Sequence, residues 1–443
     1  MFDLLLDEMM EFSSLGIRPG LERTSVLLSR MDDPQKKFKA VQVLGTNGKG
    51  STAAALESIF KAAGMKTALY TSPHLVSMRE RLRLNGSPVP IEVWRDAWER
   101  VVGAVLGDSA LAADRPTFFE NLTALCFHII AEAGVDAAVI EAGMGGRYDA
   151  TTHCDAAGVV IVPIGMDHMQ YLGPTLEAIA SEKFAAARRG SVAFYAADNE
   201  GLTGQFVERC REAGAEYFLL DRLASPVDVN ISLDGTVFSY RPAEVSGLPA
   251  MNGLVTPLVG FHQAENAARA ATVALKLREA NPIFSQIGEE EIRAGLKATD
   301  WPGRLEIFRQ RGRQTVILDG AHNEHAFRAL EATMKSLVDN GSTARIGAIV
   351  FAVMKDKDVV PILGRIRAMG APVYCTQVHI ERGMPAKELA DMAASNGITV
   401  RGAYEDPSAA LSAARADAGQ NDALLCCGSL YLVGYLRDAF ERA

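Results

Sequence analysis

Residues 41–55 read VQVLGTNGKGSTAAA: an apolar run, glycines at 45, 48 and 50, a lysine at 49, then the start of a helical pattern. A strand that ends in a glycine turn and feeds into a helix aims backbone N–H groups and the positive end of a helix dipole at one point. Phosphate is the natural occupant of such a point. The spacing nevertheless departs from the common G-x-x-x-x-G-K-[ST] pattern. The position five before Gly48 is Val43, and Lys49 is followed by Gly50 instead of a hydroxyl. Ser51 or Thr52 can still offer an oxygen to a magnesium nucleotide, because Mg²⁺ takes hard oxygen ligands.

Other chemistry-bearing residues follow apolar runs in the same way. YTSPHL (70–75), VIEAGMGGR (139–147) and VPIGMDHMQYLG (162–173) each leave a strand-like stretch for a polar turn. In an open parallel sheet, ligands gather at the carboxyl ends of the strands, so Glu141, Asp167 and His168 are candidates for one cleft. Glu141 ends the run Ala137–Ile140, where a lone carboxylate needs a cation or donor. Lys183, in TLEAIASEKFAAARRG, shares a helical face with Leu176, Ile179 and Ala180. Such a lysine must snorkel, find a carboxylate or be chemically altered, and snorkelling is the usual answer. In ILDGAHNEHAF (317–327), Asp319, His322 and Asn323 follow another strand-like run. Asn323 stands where a helix N-cap belongs, and Arg304 stands where it could reach a phosphate or a base.

The elements that must place these residues read as an α/β protein of two doubly wound domains. The first, residues 1–298, reads as a P-loop domain, expected to bind a phosphate-bearing ligand, with strands near 40–44, 67–70, 137–141 and 158–164 and helices near 51–63, 121–133 and 174–188. Residues 227–241, VDVNISLDGTVFSYR, alternate around Asp-Gly and read as a hairpin appended to it. A linker spans 299–305, where a Pro-Gly pair follows an amphipathic helix. Residues 306–443 form a smaller Rossmann-like domain, with strands near 315–318, 346–352, 373–377, 399–403 and 423–427 alternating with helices.

A chain of 443 residues exceeds one ordinary core. Its formal charge of -9 argues against nucleic acid as a partner. The six cysteines lack metal-site spacing and read as reduced. An acidic N-terminus and the lack of a membrane-length apolar run lead us to expect a cytoplasmic protein with no membrane attachment.

In order along the chain, GTNGKGS, TSPHL with RERLRLNG, FFENLT, EAGMGGRYDAT, GMDHMQYLG, IASEK, FHQAENAARAA, WPGRLE, LDGAHN, KDKD and GSLYLVG occur between residues 45 and 434. Together they resemble the folylpolyglutamate synthase and dihydrofolate synthase family, a branch of the Mur-type ATP-dependent amide ligases, whose loop has the shortened Lys-Gly-Ser ending. The resemblance implies that Thr46, Asn47, Gly48, Lys49, Gly50 and Ser51 cradle ATP, with Asn266, Arg304 and Asp319 also on the nucleotide. It implies magnesium at Ser72, Glu141 and His168, and allows a monovalent cation beside it. Lys183 matches a lysine that is often carbamylated. His322 would border the glutamate site and Arg81 would bind a glutamate carboxylate. Thr117, Phe118, Phe119 and Glu120, with Tyr148, Asp149 and Ala150, would line a pterin-substrate site, and Ser429 would join the substrate contacts. The segment FAAARRG after SEK departs from the family's pattern, as do Met144 and Tyr148 in MGGRYDAT.

The implied activity is ATP-dependent joining of L-glutamate to dihydropteroate, to a reduced folate, or to both, by a monomer. A monofunctional folylpolyglutamate synthase is the nearest alternative. A ligase of cell-wall peptide precursors carries a further domain before the loop, for which 44 residues are too few. A nucleotide-dependent regulatory protein has no use for the second set of strand-end charges.

Overall fold

The structure, a computed structural model, describes residues 2–309 and 312–441. It divides into two compact units: residues up to Val227 with Ser239–Leu254 and Glu265–Thr299, and Asp228–Phe238 with Val255–Ala264 and the residues from Asp300 on.

The first unit is built on a sheet whose strands are β1 (Lys39–Leu44), β2 (Thr67–Tyr70), β3 (Leu82–Leu84), β4 (Ser87–Pro88), β5 (Ala137–Glu141), β6 (Ala156–Ile161), β7 (Val192–Tyr195) and β8 (Glu216–Leu219). Their spatial order is β4-β3-β2-β5-β1-β6-β7-β8. β1 runs parallel to β5 on one side and β6 on the other, with Val43 beside Glu141 and Leu44 beside Ile161. The chain first winds one way from β1, then returns past it, so the winding reverses there. A crevice for ligands opens at the carboxyl ends on either side of such a strand. All of β1 after Lys39 is buried, as expected for a parallel strand covered on both faces.

A three-stranded sheet follows, β9 (Ala224–Ser232), β10 (Gly235–Pro242) and β11 (Met251–Thr256), in the order β11-β10-β9. The hairpin read from 227–241 is its first two strands, turning at Asp234-Gly235; the third strand was not foreseen. The second unit holds β12 (Glu306–Phe308), β13 (Thr315–Asp319), β14 (Ile346–Phe351), β15 (Val373–Thr376), β16 (Val400–Tyr404) and β17 (Ala423–Cys427), ordered β12-β13-β17-β14-β15-β16. All pairs but β12–β13 are parallel.

Two expected elements are shorter than read. The helix over 174–188 runs Leu176–Phe184: the Thr175 hydroxyl accepts from the Ala178 N–H at 3.2 Å and starts it. Tighter bonds from Ala186 N–H to Lys183 O and from Ala187 N–H to Phe184 O end it. β6 stops at Ile161, just before Pro163, which has no N–H for a ladder. All six cysteines are buried free thiols. Among the described residues no helix is long and apolar enough to cross a membrane.

The helix after β1, Lys49–Ala62, is held by close backbone contact with the helix Glu289–Lys297. The Ser58 hydroxyl donates to the Gly295 carbonyl at 2.7 Å, and a Cβ on Gly295 would lie 2.4 Å from Ile59 Cα. Backbone cannot give way as a side-chain tip can, so Gly295→Ala should lower stability by about 1–3 kcal/mol. Gly204→Ala, in a helix with nothing within 4 Å of the new methyl, should be neutral or stabilising by about 0.4–1 kcal/mol. Thermal melts of the two variants beside the parent check the pair; equal midpoints would show that the helices can separate freely.

Candidate active site

The turn leaving β1 is fixed from three directions. Gly45 has φ 140°, and a Cβ there would lie 2.3 Å from Val162 Cγ2. Gly48, at φ 90°, begins the helix Lys49–Ala62, and a Cβ on it would meet Asn266 Oδ1 at 2.7 Å. Asn266, 5% exposed, is thus seated directly on the loop. Thr46 stitches the loop to the exit of β6: its N–H donates to Pro163 O at 2.9 Å, its hydroxyl to Gly165 O at 3.1 Å, and it accepts from Gly165 N–H at 3.0 Å. No side chain caps the first turn of the helix. Its N–H groups and dipole are therefore available to an anion from Gly48, Lys49, Gly50 and Ser51.

Three charged groups converge on this turn. Lys49 Nζ lies 4.0 Å from Glu141 Oε1 and 3.4 Å from Thr46 O. The other oxygen of Glu141, which is 5% exposed, accepts from Ser72 N–H at 3.2 Å. Lys183 does not snorkel: it is 4% exposed, and its Nζ donates to Gly45 O at 2.9 Å. Burial, and then the charge of Lys49, bring its pKa down to about 7. Much of it is therefore a neutral amine near neutral pH.

His168 lies one strand exit away, in a left-handed conformation at φ 52°. Its exposed imidazole stands 3.9 Å from the Asp167 carboxylate. Ser72 and Glu141 are thus brought together directly, whereas His168 is paired with Asp167. Among the described residues no three of His, Cys, Asp and Glu form a ready-made metal group. A Mg²⁺ that keeps several waters and takes its remaining oxygens from nucleotide phosphates needs only one or two protein donors, and a glutamate beside a serine suits it.

The residues expected to line a pterin site frame the exit of β5. Thr117 and Glu120 form a capping box on the helix Phe118–Ala133, and Glu120 also takes a two-pronged bond from Arg23, both arms at 3.1 Å. Their polar atoms thus anchor the helix end. Phe119 stacks on Tyr70 with ring centres 6.4 Å apart, and a Cβ on Gly143 would meet its ring at 2.6 Å. Arg81 lies over Phe118 at 5.8 Å and donates to His74 Nδ1 at 2.9 Å. Tyr148 is 54% exposed, Ala150 is buried, and the buried Asp149 carboxylate accepts from Met144 N–H at 2.8 Å and Thr151 N–H at 3.0 Å.

In the second unit, Asp319 closes β13 beside Cys427 of β17. It accepts from the N–H groups of Leu305 and Ala321, both at 2.9 Å. Burial raises its pKa and the Arg304 charge opposes that rise. Arg304 lies over Gly320, where a Cβ would meet its Nη1 at 2.3 Å. His322 Nδ1 bonds Gly320 O at 2.8 Å, and Asn323 caps its helix by accepting from Ala326 N–H at 2.9 Å. Ser429, just past β17, is 2% exposed and accepts from Tyr431 N–H at 3.1 Å. A residue not foreseen is His262, whose pKa burial lowers to about 4, with Arg304 and His325 adding to the effect. It therefore stays neutral beside Arg304. It lies in the motif FHQAEN, four residues before Asn266.

Two family models cover the chain: the Mur ligase middle domain over residues 43–274 and the Mur ligase glutamate ligase domain over 303–430. The dihydrofolate synthase/folylpolyglutamate synthase of Bacillus subtilis (strain 168) is 33% identical over 424 residues, covering 95% of each chain. Among solved structures, E. coli FolC in complex with DHPP and ADP aligns at a TM-score of 0.85 with 29% identity, covering 100% of this chain and 98% of that one. A bifunctional folylpolyglutamate synthase/dihydrofolate synthase from Yersinia pestis, complexed with AMPPNP and a Mn ion, aligns at 0.82 with 28% identity, covering 99% and 98%. With both Mur ligase domains in order and a relative at this identity over nearly its whole length, the chain belongs to the folylpolyglutamate synthase/dihydrofolate synthase family of Mur-type ligases.

Proposed function

We propose that this protein is an ATP-dependent ligase that joins L-glutamate to the carboxylate of dihydropteroate and of reduced folates. The observation that carries the reading is Lys49 standing 4.0 Å from Glu141 across the uncapped start of a helix. That arrangement would take a triphosphate between backbone donors and one ammonium, with a carboxylate close by that would hold a divalent cation.

In the first step an acceptor carboxylate oxygen attacks the γ-phosphorus of ATP, the bond to the β,γ-bridging oxygen breaks, and ADP leaves. Lys49 and the N–H groups of Gly48 to Ser51 face the charge that spreads over the transferring phosphoryl oxygens. Magnesium, when bound at Ser72 and Glu141 with His168 near, supplies further charge neutralisation. The amine of L-glutamate then attacks the acyl phosphate carbonyl, the C–O bond to phosphate breaks, and the amine proton is lost as the amide forms. Neither step needs a nucleophile from the protein, so positioning and exclusion of water do most of the work. Arg304, Asp319 and Asn266 are assigned to the nucleotide, and His322, Ser429 and Arg81 to glutamate and the acceptor. Thr117 to Glu120 and Tyr148 to Ala150 are assigned to the pterin end. The residues assigned to both steps belong to one chain, so we expect a monomer.

Lys183 deepens this reading. A lysine amine attacks carbon dioxide only when unprotonated, and a pKa near 7 leaves much of it so. We therefore assign it as a carbamate in the working enzyme, where the neutral amine would become an anion near Lys49.

Lys49→Ala should cut glutamate-dependent ADP release by about 10²–10³-fold with the melting temperature kept; parent-like turnover would remove the loop from the reaction. Glu141→Gln should raise the magnesium concentration needed for half-maximal rate, and an unchanged requirement would take Glu141 off the metal. Exhaustive removal of carbon dioxide should lower activity and bicarbonate should restore it, with native mass spectra gaining one carbon dioxide that Lys183→Met does not. Separately, the native state holds Lys183 near 7 against an ordinary 10.5, so between those values the unfolded chain binds the extra proton. Stability from this group therefore rises with pH through that window. In carbon dioxide-free buffer the stability advantage of Lys183→Met should shrink between pH 7 and about pH 9; a constant gap would contradict the lowered pKa. Offering dihydropteroate and a reduced folate separately, then weighing the products, checks the two acceptor activities.

A further inference from the structure

The interior of β1 is apolar apart from Gln42, which is wholly buried. Its amide Nε2 donates to the hydroxyls of Thr151 at 2.9 Å and Thr152 at 3.1 Å, and its Oε1 accepts from Arg188 Nη1 at 3.3 Å. The opposite orientation of the amide would set two donors face to face at the arginine, so the chemistry of the partners fixes which end is which.

An amide NH₂ only donates, so each threonine hydroxyl is an acceptor toward Gln42 and must direct its own proton elsewhere. Thr151 donates to Asp149 Oδ1 at 2.5 Å, and Thr152 donates to Gly146 O at 2.7 Å. These are the two flanks of the turn that carries Tyr148. The result is a one-way chain of donors from the Arg188 guanidinium through Gln42 and Thr151 to the Asp149 carboxylate. Burial pushes that carboxyl up, and its hydrogen bonds from Met144 and Thr151 pull it back down. Arg188 is itself anchored, donating to Cys154 O at 2.7 Å and Ala186 O at 3.2 Å. Chains of this kind polarise one another in a low-dielectric interior, so the direction of each bond depends on the previous one.

We propose that Gln42 is a positioning residue for the acceptor acid: by dictating the direction of two threonine hydroxyls it sets the segment Gly146–Thr152, and with it the wall formed by Tyr148 to Ala150. The proposal rests on the reading of that wall as part of the acceptor site. It adds a determinant located inside the sheet, beneath the surface that would meet the substrate.

Gln42→Glu tests it with almost no change of shape. A carboxylate still accepts from Arg188 but can no longer donate, so both threonine protons turn inward, away from Asp149 and Gly146. The KM for the acceptor should rise about tenfold, the effect of a lost buried hydrogen bond, while the KM for ATP stays within about twofold. Amide exchange at Met144 and Thr151, which donate to Asp149, should quicken. Gln42→Met, which removes both ends of the amide but offers the threonine protons no strong rival acceptor, should act in the same direction more weakly and serves if the first variant folds poorly. Unchanged exchange at Met144 and Thr151 in both variants, or an acceptor KM unchanged in both while Tyr148→Ala raises it, overturns the proposal. Faster exchange with an acceptor KM unmoved by Gln42→Glu and by Tyr148→Ala alike overturns instead the reading of Tyr148 to Ala150 as acceptor wall, and the substrate role of Gln42 with it.

Discussion

Charge at the carboxyl edge of the first sheet has to be answered locally, and the rest of the site follows from how it is answered. Lys49 and Glu141, 4.0 Å apart, attract with about 4 kcal/mol at an effective dielectric near 20. Removing each ion from water costs several kcal/mol. The pair is therefore near break-even for stability, and its presence is better explained by what it can hold. Lys183 is the other side of the same constraint. With Lys49 already claiming the nearby carboxylate, Lys183 receives a carbonyl instead, and its proton becomes easy to lose. A phosphate loop braced by that amine at Gly45, by Thr46 against Gly165 and by Asn266 at Gly48 keeps its shape before any nucleotide arrives, which lowers the ordering cost of binding.

Much of the fold was legible because parallel strands buried on both faces are continuous apolar runs. β1, β2 and β5 lie within a residue of where those runs begin and end. Strands less visible in the sequence have other physics. β7 and β8 are four residues each, as is β2, and periodicity over so short a run cannot by itself separate a strand from a buried turn of helix. β11 reads MNGLVT, whose glycine and asparagine argue against a strand until β10 pairs with it. The division into units is less visible still, since segments 228–238 and 255–264 cluster with residues far along the chain.

The site was legible in residue type and opaque in partnership. Position on an apolar helical face marked Lys183 as anomalous, but the usual answer, snorkelling, is not the one the fold uses, since the side chain is buried. Nothing local could reveal that its acceptor is a main-chain oxygen 138 residues away. Likewise Glu141 announced itself as a carboxylate at a strand end, but its tie to the Ser72 N–H crosses 69 residues. Gln42 carried one faint signal, a polar residue in an apolar strand. Its meaning depends on two threonines and an arginine that only the folded sheet assembles.

The six thiols have a practical corollary. Burial raises the pKa of each well above its ordinary value, to about 11 for Cys154 and about 12 for Cys210, Cys375 and Cys426, with Cys126 and Cys427 also raised. Hardly any thiolate forms near neutrality, and no sulfur is within easy reach of a reagent. The native chain is thus almost silent toward maleimides and similar electrophiles, so a pair of cysteines introduced on the surface, one in each unit, would carry spectroscopic labels without prior removal of the natural ones. The distance between such labels, followed as nucleotide and glutamate are added, would turn the chemistry of an inert interior into a ruler for the working cycle.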